Sequence, residues 1–357
     1  MKIFQNNYSR IEIEKKIGDI SQLGGIKSYV INDGPGNGVR ALDIKTPAGI
    51  EMTVLADRGL DISSFFYKSV PLCWKSLTKE TSPAYFESRG FEFLRTFYGG
   101  FLLTCGLGNI GAPCTDNGEE LGEHGRISNT AAENVCFDGE WSGDEYFLWV
   151  QGKLREARVA GDKLKLTRKI SLNMSEPVVL LEDTVENIGP LTSPLMLLYH
   201  INLGFPVVDK NSLFLSSRTK VAALSKDSEP GLKNYRFHGD PIPEAKNEVF
   251  IHDLEADENG NANAAVINPE FNNGEGIGVW LKYNKDNLPY FLQWKSYQSG
   301  EYVEGIIPAN SLIRGRDTER KEGTLKFIKP GEKISYRLEF RILESNKEIE
   351  KYSKIFG

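Results

Sequence analysis

Alternation of apolar and polar residues dominates this chain. Within 163–172, Leu164, Leu166, Ile170 and Leu172 fall on one face, with lysines and Ser171 on the other. That period of two is the mark of a strand buried on one side. Similar runs recur at residues 39–46, 51–57, 145–159, 177–187, 195–203, 277–283, 290–297 and 333–343. Clusters of Gly, Pro, Asn and Asp separate them, as at 32–38 and 187–190, and such clusters mark turns. A helix is predicted over 345–355, with Ser345 as its cap and Ile349, Tyr352 and Ile355 at helical spacing. Many strands without βαβ alternation predict an all-β, mostly antiparallel sandwich with few short helices. No repeat, low-complexity tract or linker divides the chain. Residues 1–357 therefore read as a single domain, with an N-terminal extension over about 1–20 and a short closing helix over about 345–356.

One pair of charges tests this pattern. Arg168 falls on the apolar face of its strand, and Asp183 falls on the apolar face of the next, beside Val179, Leu181 and Val185. Buried charges are costly unless paired, so the two are expected to meet across neighbouring strands in a structural role.

Composition narrows the function classes. At 40% hydrophobic and 11% aromatic residues, the chain can bury a large core. A net charge of −6 and the lack of a basic run argue against nucleic-acid binding. No apolar run approaches the ~20 residues of a membrane span, and the first ten residues show no signal-peptide pattern. A cytoplasmic location is expected. The four cysteines, Cys73, Cys105, Cys114 and Cys136, lack Cys-x-x-Cys spacing and read as free thiols. No recurring ligand spacing suggests a metal.

The candidate chemistry rests on scarce histidines. Only four occur, and imidazole titrates near neutral pH, with an ordinary pKa of ~6.5. His124 sits among polar residues in Glu123-His124-Gly125-Arg126, whereas His200 interrupts the apolar run 195–203 and shares its strand face with Asn202. His200 reads either as a core histidine or as a catalytic one. His238, in a loop, is a weaker candidate, and His252 could line the rim of a cleft. Arg58 reads as a partner of Asp57 or Asp61, or as a substrate contact. Tyr290 and the Gln293-Trp294-Lys295 segment offer an aromatic platform beside hydrogen-bonding groups, an arrangement that suits sugars. Arg95, Arg126 and Lys295, with Arg58, could recognise an acidic or phosphorylated sugar or bind neutral hydroxyls.

Several segments together resemble the aldose 1-epimerase-related family, once classed as a domain of unknown function, of the galactose mutarotase-like superfamily. They run from 18–23 and 38–42 through Asp57-Arg-Gly-Leu-Asp-Ile62, 99–107, His124-Gly-Arg126, Asp183-Thr-Val-Glu-Asn187 and Tyr199-His-Ile-Asn202 to 315–320 and 329–331. The similarity covers nearly the whole chain. It implies a galactose mutarotase-like β-supersandwich with a small-molecule carbohydrate cleft on one sheet and no cofactor. By resemblance, His200 takes the acid role and His124 the binding or assisting role. The family usually reads Gly-Leu-Glu-Pro where this chain reads Gly305-Ile306-Ile307-Pro308, so Ile307 stands where a glutamate base is expected. Glu304 lies three residues earlier, an odd step that a regular strand sends to the opposite face; only a bulge or bend would bring it back. Glu248 and Asp253 are other carboxylates that could substitute. Anomer interconversion, different chemistry on the same cleft, and non-catalytic sugar binding all remain open on these residues.

Overall fold

The computed structural model describes residues 1–356. Two large sheets carry the chain. The eight-stranded sheet runs from Glu133–Ser142 at one edge, through Lys163–Asn173 and Val178–Asn187, to Leu213–Ser216 at the other. The eleven-stranded sheet runs from Thr219–Ala223 through Glu248–Leu254, Tyr290–Gln298, Glu301–Ala309, Met196–Leu203, Leu102–Leu107 and Asp61–Tyr67 to Gly25–Val30. Neighbouring strands pair antiparallel throughout both sheets. This is the predicted all-β architecture.

The sequence pattern explains the layering. In Lys163–Asn173 every second residue is buried, and the buried set joins side chains of the other sheet in one apolar core. Each leucine or isoleucine placed there contributes about 1.5–3 kcal/mol relative to exposure. Met196–Leu203 is different, because all eight of its residues are buried. Its Tyr199, Ile201 and Leu203 enter the core between the sheets. Met196 and Leu198 face outward, into a second apolar cluster with Phe93, Phe97 and Leu292. That outer cluster roofs one face of the larger sheet, and the candidate site lies there.

Arg168 and Asp183 stand opposite each other on adjacent strands, joined by two hydrogen bonds of 2.9 and 2.6 Å. The predicted pairing is present, and it extends further. Arg168 also reaches Asp61 and the Thr104 hydroxyl on the other sheet, while the Tyr199 hydroxyl donates to Asp183 at 2.8 Å. The closing helix spans Asn346–Ser353, and Ser345 caps it by accepting from the Glu348 amide. All four cysteines are free thiols.

Candidate active site

His200 projects from the outer face of Met196–Leu203. Two strands over, Trp294 projects from the same face of Tyr290–Gln298, opposite Gly305 in register. Gly305 makes their approach possible. A Cβ there would lie 3.3 Å from His200 Cε1 and 3.2 Å from the Trp294 ring, so any side chain would crowd both. The imidazole meets the indole edge-on, with ring centroids 5.4 Å apart.

His124 arrives from a loop that hydrogen bonds hold tightly to the sheet. The Glu123 amide donates to Gly90 and the His124 amide to Gly111, while Gly106 and Arg126 amides close the other side. His124 itself takes a left-handed φ of 56°. Gly125 follows at φ 72°, where a Cβ would collide with the Gly106 carbonyl and sit 2.7 Å from that of Asn109. The strapping brings the His124 ring to a centroid distance of 6.0 Å from His200. Phe97 packs on His200 at 5.3 Å and Phe93 on His124 at 5.2 Å.

Together these side chains enclose a cavity of about 290 Å³, with Glu123, Asn247 and Ile307 also in its lining. The Gly111 amide donates to His124 Nδ1 at 3.2 Å. An accepting Nδ1 leaves the proton on Nε2, so His124 is a neutral donor. Burial pushes its pKa down to about 4. Burial, reinforced by His124, pushes that of His200 down to about 3. Both rings are therefore uncharged at neutral pH, and His200 Nδ1 has no hydrogen-bond partner among the described residues. Glu123 responds in the opposite sense, because burial raises its carboxyl to about 7. Among the described residues, no lysine or arginine lines the cavity.

A larger cavity of about 500 Å³ lies on the other side of this loop, and Arg126 faces it. Part of its charge is paired: Arg316 binds Asp116 and Glu119, and Arg158 binds Glu119. Arg126 donates to Ser88 at 2.6 Å. The histidines are absent from that lining.

Of the candidates singled out from sequence, the structure brings His124, His200 and Trp294 together in this cavity, and the others lie outside its lining. Glu304 is on the opposite face of its strand, buried against His238 and Gln293. The pairing of Tyr290–Gln298 with Glu301–Ala309 runs without a bulge, so nothing returns Glu304 to the cavity. Lys295 turns to that opposite face too, its ammonium donating to the carbonyls of Asn234, Tyr235 and Phe237. His252 bonds Gln293 there at 3.1 Å. Glu248 sits across from Lys295 in register and outside the cavity. Asn202 shares the His200 face but spends its amide on the carbonyls of Gly99, Gly100 and His200. Arg58 is buried and donates to the carbonyls of Ser128, Thr81 and Thr96; it pairs with neither Asp57 nor Asp61, which bind Arg40 and Arg168. Arg95 is exposed and pairs with Glu92. Asp253 pairs with Lys285 at the surface. Ile307 occupies the cavity wall. Glu123 is the carboxyl that sequence reasoning passed over, although it directly precedes His124.

A family model described as a domain of unknown function, DUF4432, matches residues 36–342. The chain belongs to the DUF4432 family. No curated protein matches the sequence. Among solved structures, a putative aldose 1-epimerase from Klebsiella pneumoniae superposes with a TM-score of 0.87 at 21% identity, covering 96% of this chain and 93% of that one. A galactose mutarotase-like protein from Clostridium acetobutylicum gives 0.60 at 14% identity, covering 90% and 99%. Galactose 1-epimerase from Lactobacillus acidophilus gives 0.56 at 13% identity, covering 90% and 99%. This DUF4432 chain thus has the galactose mutarotase-like fold.

Proposed function

We propose that the protein interconverts the anomers of a neutral aldose by acid–base-assisted ring opening in the His124–His200 cavity. One observation carries this reading: two uncharged histidines at 6.0 Å face a single cavity floored by an indole. An apolar sugar face can lie on Trp294 while hydroxyls meet the imidazoles and Asn247. Ring opening removes the proton on the anomeric hydroxyl and protonates the ring oxygen; closure on the other face reverses both transfers. The lack of any lysine or arginine in the lining favours a neutral sugar over a phosphorylated or acidic one. Ile307 in the wall favours a second reading, sugar binding without turnover.

Magnetisation-exchange NMR of anomers tests both, over a panel of neutral, acidic and phosphorylated aldoses. Exchange above the buffer rate for a neutral sugar, falling ~10²–10⁴-fold in His200→Ala, is the expected result. Binding without acceleration would establish the second reading instead.

A further inference from the structure

Resting on that functional reading, we propose that Glu123 is the catalytic carboxyl of this cavity, working opposite His200 across the bound sugar. The loop supplies what the strand position of Ile307 lacks. Glu123 and Ile307 line the same cavity as both histidines, so a carboxyl remains in the site although it has left the sheet. Its Oε2 is buried without a hydrogen-bond partner. Leaving a carboxyl oxygen unpaired out of water costs free energy, and here that cost has no structural return, because among the described residues Glu123 makes no salt bridge or side-chain hydrogen bond that would hold the fold. A sugar hydroxyl or ring oxygen is the partner it lacks.

The proton count closes. Glu123 begins protonated and His200 neutral. His200, a base in this step where the resemblance implies an acid, takes the proton of the anomeric hydroxyl; the freed O–H electron pair makes the C1 carbonyl, and the bond from C1 to the ring oxygen breaks. The ring oxygen receives the Glu123 proton. After rotation about the C1–C2 bond, the ring oxygen attacks the other face of C1 and returns its proton to Glu123, while His200 reprotonates the new anomeric hydroxyl. Nothing is consumed. Burial sets this starting state, since it holds the Glu123 proton up to about neutrality and keeps His200 uncharged. The titratable groups around the carboxyl are His124 on its own loop and His200 on Met196–Leu203, both in the cavity lining, and the Cys105 thiol on Leu102–Leu107, which burial first, then Asp61 and Glu123, push up. None of them is a cation at neutral pH.

The test is anomer exchange by Glu123→Gln and Glu123→Asp, measured with the wild type from pH 4.5 to 9, with urea unfolding to confirm that each variant is folded. Wild-type kcat/KM should fall as pH rises through about 7, where Glu123 loses its proton. Glu123→Gln should lose ~10²–10⁴-fold in kcat with KM little changed, and its residual rate should lose that inflection. Glu123→Asp should keep the inflection at reduced rate. A folded Glu123→Gln with wild-type kcat, or with the same inflection, overturns the inference and leaves the functional reading standing. A wild type that accelerates no sugar overturns both.

Discussion

Two glutamates define the residue scale, and they sit on opposite sides of one sheet. Glu304 accepts from His238 Nε2 and from Gln293 Nε2. Burial alone would raise its carboxyl, but His238, Lys295 and Gln293 together outweigh that and hold it below its ordinary value. Glu123 has no such partners and is raised. Placement, not residue type, therefore separates a structural carboxylate from one free to exchange a proton. Glu304→Gln should show the difference. A glutamine side chain offers one acceptor where Glu304 serves two donors, so one buried N–H is left unpaired. The expected cost is about 1–3 kcal/mol in urea unfolding, with anomer exchange per folded molecule unchanged. An exchange rate that falls with an unaltered urea midpoint would return Glu304 to the site.

At the scale of elements, the cavity is a product of strand parity and of one strapped loop. Period two puts Trp294 on the outer face and sends Gln293 and Lys295 to the other. The same rule separates Asn247 and Val249, which line the cavity, from Glu248 between them. The loop is held by backbone bonds, so its geometry rests on Gly125. Gly125→Ala would force a Cβ into the Gly106 carbonyl at a left-handed φ, a strain of at least ~1–2 kcal/mol before the collision is counted. The expected outcome is a lower urea midpoint together with loss of anomer exchange, because Glu123 and His124 directly precede the displaced residue; retained exchange would show that the loop does not place the site. These two mechanisms also mark what the chain made readable. His200 and His124 stood out because scarce imidazoles interrupt a pattern, and Arg168 because its partner lies on the next strand. Reading neighbours such as Gln293, Trp294 and Lys295 as one platform failed because parity divides them. Arg58 failed because its three acceptors are backbone carbonyls near residues 81, 96 and 128, which carry no side-chain signal. Glu123 was hidden among the acidic residues of 119–123 until the backbone straps to Gly90 and Gly111 turned its loop toward the sheet.

Across the whole molecule, one guanidinium links the layers. Arg168 and Asp183 belong to the eight-stranded sheet, while Asp61, Thr104 and Tyr199 belong to the other. Tyr199 immediately precedes His200, so the same strand that carries the imidazole outward anchors inward to this cluster. All of these side chains are buried, and the arrangement specifies how the sheets stack more than it adds net stability, since buried ion pairs roughly repay their own desolvation. Removing one partner is another matter. Arg168→Met fills comparable apolar volume but leaves Asp61 and Asp183 buried without their cation, a loss of about 3–5 kcal/mol at neutral pH. Its pH dependence follows from Asp61. Burial already pushes that carboxyl up, against the pull of Arg168 and the Thr104 hydrogen bonds; without the guanidinium the push dominates. A carboxyl whose folded pKa exceeds its unfolded value binds a proton on folding, so its stabilising effect is greatest at low pH and is lost as pH rises through the folded pKa. Urea unfolding of Arg168→Met should therefore show a deficit relative to the wild type that shrinks as pH is lowered from neutrality. A deficit that does not change with pH would mean that the buried carboxylates find other donors and that the sheets are held together without this link.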